Sequence, residues 1–108
     1  MMNERVKKLW VDALRSGKYR QCRARLKVHG NRDNGPSYCC LGVLEEIAKD
    51  EGVISGYDAA GLVLDKTVMG WAELETADPR VGDGQSLTAL NDSGSGFWFI
   101  AEQIEQHL

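Results

Sequence analysis

From Asn3 onward the apolar residues Val6, Leu9, Trp10, Ala13 and Leu14 recur at the spacing of one buried stripe on an α-helix. Asn3 is placed to cap that helix by accepting an opening backbone N–H, and Gly17 to close it in a left-handed conformation. At Tyr19 the period drops to two. Cys22, Ala24, Leu26 and Val28 alternate with Gln21, Arg23, Arg25 and Lys27, which predicts a strand with a core face and a basic face. Turn formers fill His29 to Ser37, so the chain is expected to reverse there in an extended hairpin loop centred near Arg32 and Asp33. A short return strand over Ser37 to Cys39 would set Cys39 opposite Leu26.

A second helix is expected from Cys40 or Leu41, burying Leu44, Ile47 and Ala48, exposing Glu45, Glu46, Lys49 and Asp50, and stopping at Gly52. Its acidic face would complement the basic strand. Residues 53–63 carry no strong pattern and read as loop, with a short strand at Leu62 to Leu64. Asp65 would cap a third helix through Val68, Trp71, Ala72 and Leu74, with Leu64 and Met69 as a hydrophobic staple. Thr76 to Gly84 reads as loop with a short strand at Val81, and Ser86 as the cap of a short helix through Leu87 and Leu90. Ser95 would cap the last helix, whose stripe is Phe97, Ile100, Ala101, Ile104 and Leu108. Segregated strands and helices give an α+β class: one domain over 1–108, with a short antiparallel sheet (a hairpin over about 19–39) packed against four to five helices.

Composition narrows this picture. A chain of 108 residues with 43% apolar content supports one small core. No apolar run is long enough to span a membrane, and the charged, amphipathic N-terminus does not read as a signal peptide, so a soluble cytoplasmic protein is expected. Three cysteines, two of them adjacent, argue for reduced thiols rather than disulfides. The net charge of −3 hides a division. Residues 1–32 hold ten basic and two acidic residues, a net of +8, and the remainder three basic and fourteen acidic, a net of −11. The halves either neutralise each other within the fold, the expected outcome, or present two faces of opposite potential.

Cys39 and Cys40 stand where a strand hands over to a helix, a place that lowers a thiol's pKa and could make a nucleophile. The bases within the sequence are His29, in a turn-rich loop, and His107, in the last helical turn. Burial of both thiols as small apolar side chains is the simpler expectation. Cys22, Cys39, Cys40 and His29 lack the close ligand pairs of a zinc site, so neither a metal nor another cofactor is expected. Arg23, Arg25 and Lys27 would stand about 6.6 Å apart on one strand face, a spacing that suits successive phosphates. Tyr19 is the lone aromatic beside them, and the pI of about 5.3 argues against nucleic acid. Asn91 and Asp92 could bond the backbone of the Ser93-Gly94-Ser95 loop, fixing the corner between the last two helices, or could contact a ligand. Ser93 and Ser95 also precede a helix start, where free amides attract anions. Trp98 and Phe99 fall outside the last helix's stripe, and so are either further core or an exposed aromatic patch, most economically for a homodimer.

The segment Tyr38-Cys39-Cys40-Leu41-Gly42-Val43-Leu44, and the segment Leu90-Asn91-Asp92-Ser93-Gly94 running into Phe97, Ile100, Ala101, Ile104 and Glu105, together resemble a family of small phage- and prophage-encoded proteins. The resemblance extends to Trp10, to Ala13-Leu14-Arg15-Ser16-Gly17-Lys18-Tyr19, and to Val68, Trp71, Ala72 and Leu74. It implies a lineage rather than a reaction. Phage accessory proteins of this size often neutralise a host factor, which makes a non-enzymatic binding protein the leading expectation. Its partner would be an anionic, nucleotide-like signalling molecule held by Arg23, Arg25, Lys27, Asn91, Asp92, Ser93 and Ser95, or a host protein. A small cysteine-dependent enzyme using Cys39 or Cys40 is the alternative.

Overall fold

A computed structural model describes residues 1–30 and 35–108. The centre of the expected reversal, at Arg32 and Asp33, lies outside the described residues. The chain runs α1 (Glu4–Arg15), β1 (Arg20–Gln21), β2 (Lys27–Val28), β3 (Ser37–Tyr38), α2 (Cys40–Asp50), α3 (Lys66–Trp71), β4 (Arg80–Val81), β5 (Gln85–Ser86), α4 (Leu87–Asp92) and α5 (Phe97–His107). It is an α+β domain with more helix than strand. The expected caps form on three helices. Asn3 Oδ1 accepts from Val6 N at 3.0 Å, Asp65 Oδ1 from Thr67 N at 2.8 Å, and Ser86 Oγ from Ala89 N at 3.2 Å. Ser95 does not cap α5; Gly96 takes that position, with no side-chain bond.

The stripe of α1 buries Val6, Trp10 and Leu14 against α5 and α2. Trp10 is fully buried, so its indole N–H needs a partner, and it donates to Cys40 O at 2.9 Å across the first turn of α2. The two ends of the chain meet, with Met2 N donating to Leu108 O at 3.4 Å.

The expected hairpin register holds: β2 and β3 pair antiparallel, Lys27 opposite Tyr38, and Cys39 N donates to Leu26 O at 3.1 Å. The sheet itself is mixed, because β1 joins the other edge of β3 in parallel. The expected continuous strand from Tyr19 to Val28 is therefore broken between β1 and β2. Ala24 sits at φ 66°, in the left-handed region, and a strand cannot pass through it. Nor do Leu62 to Leu64 form a strand. Residues 53–63 instead cover the free edge of β2, where Leu26 N donates to Gly61 O at 2.8 Å and Lys27 N to Ala59 O at 3.0 Å. The third helix stops at Trp71, short of Leu74, as the chain turns through Glu73 at φ 58°.

Helix α2 is the centre of the fold, in contact with α1, α3, α4 and β3. That surrounding explains why Glu45, expected on a solvated face, is fully buried: a helix packed on several sides has no full polar face to offer. Its approach to β2 is close enough to require Gly42. A Cβ there would lie 1.8 Å from Leu26 O, a backbone atom that cannot rotate away. Gly42→Ala should therefore destabilise the fold by about 3 kcal/mol or more. Gly70→Ala in α3, with nothing within 4 Å of the new methyl, should stabilise it by roughly 0.5–1 kcal/mol. Urea unfolding of both variants checks the pair; a neutral Gly42→Ala would contradict this packing.

Candidate functional site

Asn91 lies at the end of α4 with no exposed surface. Its carboxamide makes four hydrogen bonds: Oδ1 accepts from Gln21 Nε2 at 2.8 Å and from Cys40 N at 3.1 Å, while Nδ2 donates to Cys22 O at 2.8 Å and to Asp92 Oδ1 at 3.2 Å. The Cys40 amide is one of the helix-opening donors that has no partner within α2, and Asn91 supplies one. Asp92 Oδ1 also accepts from Ala24 N at 3.0 Å, holding the bend between β1 and β2. The pair therefore bonds residues 21–24 and 40 rather than the backbone of the Ser93–Ser95 loop. That loop is held by other groups. Ser93 Oγ donates to Leu90 O at 3.1 Å, Ser95 N donates to Leu90 O at 3.1 Å, and Ser95 O accepts from Gln21 Nε2 at 2.8 Å.

Cys39 and Cys40 do stand at a strand-to-helix junction, but both are buried. Cys39 Sγ serves as the N-cap of α2, accepting from Gly42 N at 3.4 Å. Burial pushes its pKa up to about 11, outweighing the backbone bonds from Gly42 and Leu41 that pull it down. The Cys40 thiol, aimed at Leu87 O at 3.6 Å, is raised well above its ordinary value, first by burial and then by Cys39 beside it. The helix N-terminus does pull on the Cys39 thiol, but the core that encloses it costs the thiolate more than the Gly42 and Leu41 amides return.

The three candidate cations separate. Arg23 and Arg25 are exposed on the bend, where Ala24 breaks the strand alternation that would have aligned them with Lys27. Arg23 rests over the Ser93-Gly94-Ser95 loop: a Cβ on Gly94 would lie 3.2 Å from its Nη2. Lys27 belongs to a different cluster. Its Nζ lies 4.0 Å from Glu46 Oε2 and 5.3 Å from the ring centroid of Tyr38. Tyr38 meets Tyr19 edge to face with centroids 5.3 Å apart. The Tyr57 hydroxyl donates to Glu46 Oε2 at 2.8 Å, and burial together with that carboxylate raises its pKa. Lys49 Nζ stands 4.0 Å from Glu46 Oε1. The sequence pattern missed Tyr38, Lys49 and Tyr57 as companions of Lys27. Tyr57 comes from the segment with no periodicity, and the one local signal was the expected match between the acidic face of α2 and the basic strand. Among the described residues charge neutralisation is partial. Of the ten basic residues in the first 32, Arg5, Lys8, Arg15 and Lys27 pair with Glu51, Asp12, Glu105 and Glu46.

On α5, Trp98 is 67% and Phe99 47% exposed, so neither is core. Arg15 lies over the Trp98 ring at 5.5 Å while its two terminal nitrogens bond the Glu105 carboxylate at 3.2 Å each. Phe99 borders a cleft of about 410 Å3 between α5 and the β4–β5 hairpin, with Gln103 and His107.

A family model for a domain of unknown function, DUF8296, matches residues 2–108, nearly the whole chain. The chain belongs to the DUF8296 family. No curated protein and no solved structure matches it. In this DUF8296 chain Asn91, with the half-buried Gln21 and the exposed Asp92, bonds the fold together, and a set of cations and tyrosines lies outside it.

One acid is set inward. Glu45 Oε1 accepts from Asp65 N at 2.7 Å, while Oε2 is buried with no partner among the described residues. Burial raises its pKa above the ordinary 4.5, with the Asp65 amide opposing and the Asp65 charge adding to the rise.

Asn91→Ala leaves the buried Cys40 N–H and the half-buried Cys22 carbonyl without these partners, each worth about 1–3 kcal/mol, so the loss should be at least about 2 kcal/mol. Exposed Asp92, replaced by Ala, should lose only about 0.5–2 kcal/mol. Equal losses in thermal or urea unfolding would remove Asn91 from its central place. Glu45 acts through linkage: a folded-state pKa above the unfolded value contributes stability that is full below pH 4.5 and lost as pH rises through the raised value. Stability of the native protein relative to Glu45→Gln should accordingly fall from pH 4.5 toward neutrality, and a difference constant with pH would mean the carboxyl titrates normally.

Proposed function

We propose that this DUF8296 protein is a non-enzymatic accessory protein of phage or prophage type, acting in the bacterial cytoplasm, that binds and neutralises a host factor. The factor is an anionic, nucleotide-like signalling molecule. The observation that carries this reading is where the accessible chemistry lies: Arg23, Arg25 and the Lys27–Lys49 cluster reach the surface, whereas both candidate nucleophiles, Cys39 and Cys40, are enclosed. Enclosed thiols with raised pKa weigh against a cysteine-dependent enzyme. The phage setting comes from the resemblance of the Tyr38–Leu44 and Leu90–Glu105 segments.

Native mass spectrometry of the protein purified from infected cells tests the reading directly, with a bound anionic metabolite as the expected result. Arg23→Glu combined with Arg25→Glu should weaken a phosphate-bearing ligand and reduce the salt dependence of what binding remains, because the charges that attract it are reversed. Unchanged binding and salt slope would reduce these arginines to a solvated surface. Rapid labelling of Cys39 or Cys40 in the native protein would instead favour the enzyme.

A second reading is favoured by Trp98 and Phe99, whose exposure suits a protein interface, either with a host protein or between two copies of this chain. Trp98→Ala with Phe99→Ala should then lower the apparent mass in solution while the monomer stays folded. A native chain that sediments as a monomer at high concentration rules out the homodimer.

A further inference from the structure

Two lysines from different elements converge on one carboxylate of α2. Lys27 Nζ and Lys49 Nζ each stand 4.0 Å from a different oxygen of Glu46, a separation at which charge attracts but no hydrogen bond forms. The short bond to Glu46 belongs to the Tyr57 hydroxyl at 2.8 Å. Among the described residues neither ammonium has an acceptor within hydrogen-bond range. For an exposed lysine, water supplies the acceptors. The Lys27 side chain is only 15% exposed, and two ammonium groups held beside a single carboxylate leave a net positive charge that favours an acceptor-rich anion beside them.

There is room for one. A cleft of about 140 Å3 is lined by Lys27, His29, Lys49, Ser55 and Tyr57, space for roughly four or five waters and so for one phosphoryl group. The Tyr38 ring that lies under Lys27 also borders a second cleft of about 400 Å3, together with Tyr19, Lys18 and Arg20. That volume falls in the ordinary range for small-molecule sites, about 300–1,000 Å3. Its aromatic and cationic lining suits a flat ring joined to a phosphate.

We infer that the Lys27–Lys49 cleft binds the phosphoryl group of a nucleotide-class ligand whose ring lies against Tyr19, past the edge of the largely buried Tyr38. The inference rests on the anionic-ligand reading above and gives it a location and a chemical class. Lys27 and Lys49 donate to the phosphoryl oxygens from two sides, and Ser55 offers a hydroxyl to a third. Glu46 keeps the two ammonium groups in place before the ligand arrives.

Calorimetric titration with AMP and with inorganic phosphate tests this on the full chain. The native protein should bind both, AMP more tightly. Lys27→Met and the more exposed Lys49→Gln should each weaken AMP by about tenfold or more, the loss for one charge-assisted bond. Lys49→Gln guards against misfolding, since its side chain is 43% exposed. Tyr19→Ala should weaken AMP and leave inorganic phosphate unaffected; equal affinity for the two probes, unchanged by Tyr19→Ala, overturns the nucleotide class. AMP binding that survives both lysine changes but is lost in the Arg23→Glu, Arg25→Glu protein overturns the location while leaving the anionic-ligand reading intact. If the native protein binds neither probe at millimolar concentration, the phosphoryl site is wrong; if it also leaves the cell with no anionic ligand, the broader reading falls with it.

Discussion

The carboxamide of Asn91 is the contact on which the arrangement of the other elements depends. A buried amide is tolerated only when its donors and acceptor are satisfied, and Asn91 achieves this by bonding groups that lie 51, 69 and 70 residues away in sequence. No single element could provide those partners. The first turn of α2, the end of β1 and the α4–α5 corner must all be in place, so the hydrogen-bond requirement of one side chain becomes a condition on the whole topology. Aspartate lacks the two donors and leucine offers neither donor nor acceptor, which ties the residue type to the geometry. The parallel placement of β1 beside β3 follows, since Gln21 and Cys22 are held by Asn91 at the same time as Cys22 N donates to Tyr38 O at 2.8 Å.

Holding β1 in that position forces the chain to bend before it reaches β2, and the bend decides where the charges go. Asp92 secures the Ala24 amide at the turning point. Arg23 is thereby directed over the Gly94 loop and Lys27 toward Glu46, two surroundings rather than one row. The alternation of cations in the sequence is real, but the strand needed to convert it into a phosphate-spaced face is absent. The same bond network encloses the thiols. With Asn91 filling the Cys40 amide and Cys39 Sγ filling that of Gly42, the N-terminus of α2 is occupied by structural partners.

The sequence made the helices and their caps legible because those signals are local: the stripe of α1, the stripe of α5, and the side chains of Asn3, Asp65 and Ser86 each act within a few residues. The hairpin register was legible for the same reason, as turn length and alternation fix it. Glu45 was not, because periodicity assigns a helix one buried side and α2 is covered on several. Alternation from Cys22 to Val28 misled because it is equally compatible with a bend whose conformation is set by a distant aspartate. Of the candidate site residues, Asn91 and Asp92 make structural hydrogen bonds, to residues 21–24 and 40 rather than to the loop backbone expected from the sequence. The meeting of Lys27, Lys49 and Tyr57 was signalled only by the match between the acidic face of α2 and the basic strand, because Tyr57 arrives with the loop of residues 53–63 that covers the edge of β2.

Glu45 and Glu46 are neighbours on α2, yet the fold treats them oppositely, and the contrast bears on how a ligand could enter. One residue is about 100° of helical rotation, so a helix packed on several sides can turn one carboxylate inward and its neighbour toward a cleft. Glu45 carries a buried oxygen without a partner, and its charge is a burden on the folded state. Glu46 faces Lys27, Lys49 and Tyr57, and its negative charge offsets what would otherwise be the repulsion of two ammonium groups gathered in a small space. Without it, Lys27 and Lys49 would be driven apart toward water, and any anion would have to bring them together again on binding. With Glu46 present, two lysines against one carboxylate leave the trio with a net charge of +1 before any ligand binds. The lysines' approximate positions are set in advance, and less ordering is left for a ligand to impose, which is the physical basis of affinity in a site this small.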